Sequence, residues 1–329
     1  MKEYKVAIII PTLNEERFIA KCIESVINQS FPLEEMDILV VDGGSIDKTR
    51  EIVFELGRRY TNIRLLDNPG RIQSIAFNIG VHNSIAPYVI RLDAHAIYDK
   101  RYIELCVQHL SAHADYGNVG GVWNIQSQNS SCQAEANAIL NKVPFGIGGA
   151  AFRVGTKAQF VDTVPFGAFP RRVLEKVGGM REDLPRGEDN EFNSRIRKFG
   201  YKIYLDPSIV CTYYARATIK ESVRQMYANG KSIGVLLFVD RNSIGVRHLV
   251  PAVFVLVVVG LLLAGGVYHS FWYMLTVIIG FYFVAAFIAT LIACHKYGYK
   301  YIGILPILFF MVHCSYGWGT MIGTIRKNK

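Results

Sequence analysis

The sequence predicts an α/β domain with a mostly parallel sheet, followed by a C-terminal module of membrane-crossing helices. Over the first 125 residues, short β-branched runs alternate with segments whose apolar residues have helical spacing. Residues 248–295 and 301–325 contain no Asp, Glu, Lys or Arg, whereas charged residues are frequent up to residue 245. A membrane span needs roughly 20 apolar residues, so the first charge-free run is long enough for two crossings and the second for one.

The alternation in the first part of the chain predicts its elements in order. Strands are expected at residues 4–10, 36–41, 63–66, 88–92 and 119–123, and helices at 16–30, 48–60, 72–81 and 100–114. Strands that alternate with helices form parallel sheets covered on both faces. Ligands bind such sheets beyond the carboxyl ends of the strands, and the polar clusters of this chain fall at those ends.

The pattern becomes less regular and rich in Gly and Pro after residue 125. Loops are expected at 145–150 and 165–170, helices at 173–177 and 190–199, and strands at 201–205 and 210–214. We therefore expect one water-facing domain over residues 1–235, divided into 1–125 and 126–215. Basic interfacial helices over 216–247 and a membrane module over 248–329 complete the chain.

The net charge is +9, and an excess of basic residues lies at 216–247, just before the first expected span. These residues do not form a helical stripe interleaved with aromatics, so no nucleic-acid partner is expected. A basic belt beside a span suits anionic lipid headgroups or a diphosphate attached to a lipid, and the positive-inside tendency alone also produces one. Both interpretations place this segment in the cytoplasm. The apolar run before Pro11 is too short for a signal peptide, which favours the same location for the domain.

The number of spans stays open at two or three. Residues 249–267 and 271–294 are expected to form a hairpin with a short uncharged outer turn. A third crossing at 302–325 would place Arg326, Lys327 and Lys329 outside, whereas a re-entrant or interfacial segment would keep this basic tail inside. We expect a multi-pass protein of the cell membrane with its water-facing domain in the cytoplasm.

Polar residues follow the first two expected strands. The first strand runs into residues 11–15, where polar groups can meet a ligand, or Asn14 can simply cap the next helix. The second ends at Asp42, whose carboxylate can accept hydrogen bonds from a nucleobase or a ribose. The glycines that follow Asp42 do not have the spacing of a phosphate-binding P-loop. No G-x-G-x-x-G follows the first strand, which disfavours a dinucleotide-binding fold.

The fourth expected strand leads into Asp93 and His95. Residues two apart on a strand point the same way, so this carboxylate and imidazole can converge on a divalent cation. Mn²⁺ accepts such a mixed ligand set, and Mg²⁺ would depend more on the carboxylate and on phosphates. The alternative is a capped strand end with a surface histidine.

An acidic cluster formed by Glu188, Asp189 and Glu191 lies at an expected loop–helix boundary. Sugar hydroxyls ionise only far above neutral pH, so attack on an anomeric carbon needs a carboxylate within hydrogen-bond reach of the hydroxyl. Asp189 is the candidate base, with Glu188 in support. The alternative is an acidic helix N-terminus favoured by the helix dipole, and this is preferred for Glu191.

Together and in this order, these motifs resemble the family-2 glycosyltransferases over residues 4–235. The runs at 161–169, 187–192 and 204–207 resemble the membrane enzymes of the succinoglycan glucosyltransferase type within that family. The resemblance implies an A-type (GT-A) nucleotide-sugar fold, with 1–125 as the nucleotide-binding half and 126–215 as the acceptor half. It also implies a role for each matched residue: Pro11, Thr12, Glu15 and Asp42 line a uridine pocket, Arg71 lies near the nucleotide, Asp93 and His95 position a metal on the diphosphate, and Asp189 is the catalytic base.

Three departures from the family pattern affect specificity. Gly43 stands where the family often has a second Asp, which leaves the choice of donor open. The metal motif is Asp-x-His and not Asp-x-Asp, which leaves the choice between Mn²⁺ and Mg²⁺ open. Processive relatives carry Gln-x-x-Arg-Trp, but here Gln225 is present without the Arg-Trp pair, and this favours transfer of a single sugar. We expect Gln225, Arg224 and Lys231 to meet the acceptor.

The sequence therefore predicts a metal-dependent, inverting hexosyltransferase of the membrane. It would move one sugar from a nucleotide-sugar, a UDP-hexose, to a lipid-linked saccharide in cell-surface polysaccharide synthesis. One alternative is transfer directly to a polyprenyl phosphate. A nucleotidyltransferase is another, but it would usually carry a basic Gly-rich phosphate loop near the N-terminus. A non-catalytic membrane scaffold is the third, and the intact Asp42, Asp93, His95 and Asp189 argue against it.

Overall fold

The computed structural model describes residues 3–147 and 149–325, so the basic tail Arg326, Lys327 and Lys329 lies outside the described residues. The chain divides into two compact units: Met1–Asn124 with Gly155–Tyr213, and Ile125–Val154 with Tyr214–Lys329. This division differs from the expected segments 1–235 and 248–329. Residues 125–154 and the helix that begins at Ile219 belong with the C-terminal helices, because they share an apolar core with them.

Nine strands in the described part of the chain form one mixed sheet. They are β1 Val6–Thr12, β2 Met36–Asp42, β3 Ile63–Asp67, β4 Tyr88–Arg91, β5 Ala96–Tyr98, β6 Tyr116–Gln126, β7 Gln159–Phe160, β8 Ala168–Pro170 and β9 Lys202–Tyr214. Their order is β3-β2-β1-β4-β8-β6-β9-β5, and β7 pairs with β9. The pairs among β1–β4 are parallel, whereas β4–β8, β6–β8, β5–β9 and β7–β9 are antiparallel. The predicted α/β class is confirmed, and its parallel part is the half formed by β1–β4.

Thirteen α-helices lie among the described residues. They are α1 Ile19–Ile27, α2 Thr49–Arg59, α3 Gln73–His82, α4 Tyr102–Ala112, α5 Cys132–Lys142, α6 Pro144–Ile147, α7 Ala151–Val154, α8 Arg171–Val177, α9 Glu188–Lys198, α10 Ile219–Val239, α11 Val250–Gly265, α12 Ser270–Tyr297 and α13 Leu305–Ile325.

Tertiary pairing changes three of the local predictions. The strands expected at 201–205 and 210–214 are one strand, β9, which pairs with β7 at Tyr204 and Leu205 and with β5 at residues 211–213. Pro207, which cannot donate a backbone hydrogen bond, lies between these two paired stretches. The loop expected at 165–170 contains β8, which inserts between β4 and β6. The loop expected at 145–150 contains part of α6, and its residue 148 lies outside the described residues.

The central strands place the site at one edge of the sheet. Every residue of β1 and β2 is buried, as expected of parallel strands covered on both faces. Burial of each large aliphatic side chain, such as those of Ile8 and Ile10, contributes about 1.5–3 kcal/mol. Because the strands are parallel, β1, β2 and β4 end at the same edge, with Thr12, Asp42 and Arg91.

The second unit contains three helical stretches that are long and apolar enough to cross a membrane: Val246–Gly265, Ser270–Tyr297 and Leu305–Ile325. The faces of α5 and α10 that include Leu140 and Met226 share an apolar core with α12 and α13. The long apolar helices therefore share their core with helices from earlier in the chain. A capping box formed by Thr218 and Glu221 starts α10.

Glycines allow α10 and α13 to pack backbone against backbone. A Cβ atom added at Gly230 would lie 1.9 Å from the carbonyl oxygen of Tyr316. A Cβ atom added at Gly319 would lie 2.2 Å from the carbonyl oxygen of Tyr227, and one at Gly323 would lie 2.1 Å from that of Lys231. The contacts advance by four residues on both helices, so α10 and α13 run parallel, in the close packing that small residues permit.

We expect Gly230→Ala to destabilise the second unit by about 1–3 kcal/mol, because the added methyl group overlaps a carbonyl oxygen that belongs to another helix. The measurement is thermal unfolding of the detergent-solubilised protein. Gly280→Ala in α12 is the matched control, since a Cβ atom at Gly280 would meet nothing within 4 Å. An unfolding temperature of Gly230→Ala equal to that of the control would contradict the close packing of α10 and α13.

Candidate active site

A cavity of about 200 Å³ lies at the carboxyl ends of β1 and β4. Most of the residues that the sequence predicts for donor and metal binding line it: Pro11, Thr12, Glu15, Arg71, Asp93 and His95. Asn68 and Gln73, which the sequence did not single out, also line it. The shared strand edge explains why residues 80 positions apart in the chain, such as Glu15 and His95, meet here. We call this space the donor cavity.

Asp42 is the predicted donor residue that does not line the donor cavity. Its side chain is fully buried and accepts hydrogen bonds from the N–H groups of Gly44 and Ser45, the Ser45 hydroxyl and Arg50. Burial alone would raise the pKa of Asp42, but these hydrogen bonds outweigh it and hold the pKa below its usual value. In this arrangement the carboxylate fixes the loop after β2.

Arg71 lies at the wall of the donor cavity and has a strained backbone conformation. Its φ is 60°, in the left-handed region that residues other than Gly adopt only rarely. The side chain of Asn68 accepts a hydrogen bond from the Arg71 N–H at 3.1 Å and donates to the carbonyl of Ile72 at 3.0 Å, which holds the turn. Strain of this kind persists where surrounding contacts fix it, and it is common at ligand sites.

Asp93 and His95 are both partly exposed in the donor cavity. The side chain of Asp93 is 13% exposed and that of His95 is 25% exposed. Glu15 Oε1 lies 3.1 Å from Nδ1 of His95, so a proton on Nδ1 orients the ring and makes Nε2 the atom that would face a metal. The backbone N–H of Asp93 donates a hydrogen bond to the Tyr98 hydroxyl at 2.7 Å, which helps to fix the position of Asp93.

The metal-ligating side chains in the donor cavity suit a hard divalent cation that takes its remaining ligands from the bound substrate and from water. In the described residues, no group of three or more His, Cys, Asp or Glu side chains could hold a metal ion. Asp93 and His95 would therefore supply two ligands, and the donor diphosphate and water would supply the rest. This is the usual arrangement of Mg²⁺ and Mn²⁺ in nucleotide sites.

Arg91 is the functional residue that the sequence analysis missed. It lies at the end of β4 and is 4% exposed. Its guanidinium donates to Asp189 at 2.5 Å, to Gln73 at 2.9 Å and to Asp93 at 3.2 Å. The available signal was an arginine at the end of an apolar strand, two residues before Asp93 and hence on the same side of the strand. Arg91 joins the predicted base to the predicted metal ligand.

The first turn of α9 presents the two predicted catalytic carboxylates. Gly187 precedes the helix with φ 85°, and Glu188 and Asp189 follow it directly. The ring of Phe192 packs at 6.2 Å from that of Phe77 and at 5.4 Å from that of Phe169, which fixes the helix against α3 and β8. The chain thereby holds the acidic cluster beside Arg91.

The two neighbouring carboxylates have different environments. The side chain of Glu188 is 6% exposed, whereas that of Asp189 is 41% exposed and paired with Arg91. Burial and then the charge of Asp189 raise the pKa of Glu188, Arg91 partly offsets both, and the net pKa is about 8. Glu188 is therefore neutral at pH 7, and Asp189 is the carboxylate that solvent and a bound hydroxyl can reach.

The three predicted acceptor residues lie together on α10, in the second unit. Arg224 and Lys231 are seven residues apart and share one face of the helix, and Gln225 lies beside them in the chain. Arg224 is exposed, and Gln225 and Lys231 are half-buried.

Sequence comparisons relate the chain to known glycosyltransferases. The family model "Glycosyl transferase family 2" matches residues 7–178, just over half of the chain. A dolichyl N-acetyl-alpha-D-glucosaminyl phosphate 3-beta-D-2,3-diacetamido-2,3-dideoxy-beta-D-glucuronosyltransferase from Methanococcus voltae is 31% identical over 98% of both chains. The succinoglycan biosynthesis protein ExoA from Rhizobium meliloti is 32% identical, over 78% of this chain and 77% of the relative.

Among solved structures, the mannosyltransferase PcManGT from Pyrobaculum calidifontis, in complex with GDP-Man and Mn²⁺, is similar in fold. It has a TM-score of 0.63 and 17% identity, and the match covers 99% of this chain and 88% of that one. This similarity confirms the fold that the sequence motifs imply. The family model and the two sequence relatives together establish that the chain belongs to glycosyl transferase family 2.

Proposed function

We propose that this glycosyltransferase moves one hexose from a UDP-sugar to a saccharide carried on a polyprenyl-type phosphate lipid, with inversion at the anomeric carbon. The observation that carries the proposal is the Arg91 bridge. One buried guanidinium contacts both Asp93, in the donor cavity, and Asp189, a carboxylate that a hydroxyl can reach. A donor bound through its diphosphate and an acceptor hydroxyl activated by a base would therefore meet at adjacent positions.

Asp189 is the proposed base. Its carboxylate takes the proton from the attacking hydroxyl as the new bond to the anomeric carbon forms and the bond to the diphosphate breaks. Arg91 orients this carboxylate through a hydrogen bond, while neutral Glu188 adds no second negative charge beside it. Glu188 is buried and protonated, and Glu191 is buried and paired with Arg195. Neither carboxyl group of this turn is therefore free to act as a nucleophile, which favours single displacement and inversion.

Asp93 and His95 are the proposed ligands of a divalent cation, Mn²⁺ or Mg²⁺. When bound, such a cation offsets the charge that develops on the leaving diphosphate. Pro11, Thr12 and Glu15, which line the donor cavity, would enclose the nucleotide. We propose Asp42 as a support for the uridine pocket through the loop that it fixes.

The second unit and the relatives support a proposal for the acceptor and for the location of the protein. The Methanococcus voltae relative is named for a dolichyl phosphate that carries a sugar, and we propose the same class of acceptor here. We place α11 and α12 across the cell membrane, with the residues before α11 in the cytoplasm. Because α10, which carries Lys220, Arg224 and Lys231, runs along α13, we place α13 at the membrane surface.

We expect Asp189→Asn to lower sugar transfer by about 10²–10⁴-fold and to leave UDP binding unchanged, because the amide cannot take the proton. The measurement is incorporation of labelled sugar from individual UDP-hexoses into the lipid extract of the native membrane. Label on a saccharide-bearing lipid supports the proposed acceptor, and label on a bare lipid phosphate supports direct transfer to polyprenyl phosphate.

Asp183→Asn is the matched control for this variant, since Asp183 lies in the preceding loop and is paired with Arg181 on the surface. It should retain wild-type transfer. Full turnover by Asp189→Asn would show that another group is the base.

We expect the rate of transfer by the wild-type enzyme to fall as pH rises through about 8, where Glu188 ionises. Below that pH the Glu188 carboxyl is neutral, and above it a second negative charge competes with Asp189 for Arg91. Glu188→Gln keeps the neutral shape at every pH, so it should remove this alkaline decline. The measurement is kcat against pH for both proteins, and an identical decline in the variant would assign it to another group.

A further inference from the structure

A second and larger cavity, of about 440 Å³, lies within the second unit. Its walls come from the segment around α6, from Met226 of α10, from the turn before α11 and the start of that helix, and from the middle of α12 and of α13. The residues that define it for the argument are Phe145, Phe254, Tyr282, His313, Arg247 and His248. We call it the membrane-module cavity. The donor and catalytic residues described above do not line it.

Hydrogen bonds and ring contacts hold these walls in place. The Tyr282 hydroxyl lies 2.9 Å from Nδ1 of His313, and Nε2 of His313 lies 2.8 Å from the carbonyl oxygen of Gly146. Because a carbonyl can only accept, Nε2 donates to it, and Nδ1 of the neutral ring accepts from Tyr282. This chain of bonds joins α12, α13 and α6. The ring of Phe254 stacks on that of Tyr282 at 4.9 Å and thereby adds α11 to the same wall.

The chemistry of the lining differs from one part of the cavity to another. Phe145, Phe254 and Tyr282 supply aromatic surface from helices that are apolar enough to cross a membrane or that pack against such helices. Arg247 and His248 supply basic groups from the turn just before α11. Apolar surface next to a fixed positive charge, at the point where a span begins, complements an amphiphile whose anionic group is attached directly to a hydrocarbon chain.

We propose that the membrane-module cavity binds the isoprenoid segment next to the phosphate of the lipid that carries the acceptor, with Arg247 beside that phosphate. The volume lies in the range of small-ligand sites, about 300–1,000 Å³, so it suits the first isoprene units and not a whole polyprenyl chain. Flat, branched isoprene units match the aromatic walls better than a flexible saturated chain does. The identity of the lipid rests on the proposed function, whereas the cavity and its charge do not.

Binding of farnesyl phosphate to the full chain in phosphatidylcholine nanodiscs tests this proposal. We expect Ala150→Trp, which places a large ring at the cavity wall, and Arg247→Gln, which removes the charge, each to weaken binding about tenfold or more. Arg241→Gln is the matched control, because Arg241 belongs to the same basic segment but does not line the cavity. Arg247→Gln should leave binding of farnesol, which lacks the phosphate, unchanged.

Three results would overturn the proposal. Wild-type affinity for farnesyl phosphate in both cavity variants would place the lipid elsewhere. Equal affinity for dodecyl phosphate would indicate a site for any alkyl chain, and equal affinity for inorganic phosphate would indicate a site for the anion alone. Titration of UDP into the same samples separates the two proposals. If the wild-type protein binds farnesyl phosphate but not UDP, the result contradicts the proposed donor and still supports the lipid site.

Discussion

The ion pairs of the buried Arg91 guanidinium are the interactions on which the candidate active site depends. Removing an arginine from water costs several kcal/mol, and only close, hydrogen-bonded partners offset that cost. Asp93 and Asp189 are those partners, with Gln73 and the nearby Glu188 completing the surroundings. The end of β4 and the first turn of α9 are consequently held together. A variant without Arg91 would leave these carboxyl groups without the cation that they share.

A different constraint organises the second unit. Helices α11, α12 and α13 are apolar on most sides, so close backbone packing and a few polar bonds must specify how they associate. The glycines between α10 and α13 and the bonds between Tyr282, His313 and Gly146 have this role. A cavity of about 440 Å³ lies among the helices that these contacts join. A glycosyltransferase with such a module can take a water-soluble donor and an acceptor that never leaves the membrane.

Much of this was readable from the sequence, for identifiable physical reasons. The buried strands have continuous apolar runs, so the ends of these runs mark the ends of the strands. The polar residues at those ends, among them Thr12 and Asp93, could therefore be predicted to line the donor cavity. Features created by distant contacts were not readable. Strand β8 is three residues long and exists only because β4 and β6 flank it, and α5 owes its place to a core shared with α12 and α13. The partners of Arg91 lie up to 98 residues away, so its role needed the fold.

The central claim is that the strand-end cavity binds a uridine nucleotide through a metal held by Asp93 and His95. Calorimetric titration of the solubilised protein with UDP, first with Mn²⁺ and then with EDTA, tests it most directly. We predict binding with Mn²⁺ that is lost or greatly weakened in EDTA. Absence of UDP binding in both conditions would contradict the claim, and the same titration with GDP would then distinguish another nucleotide from a domain without donor binding.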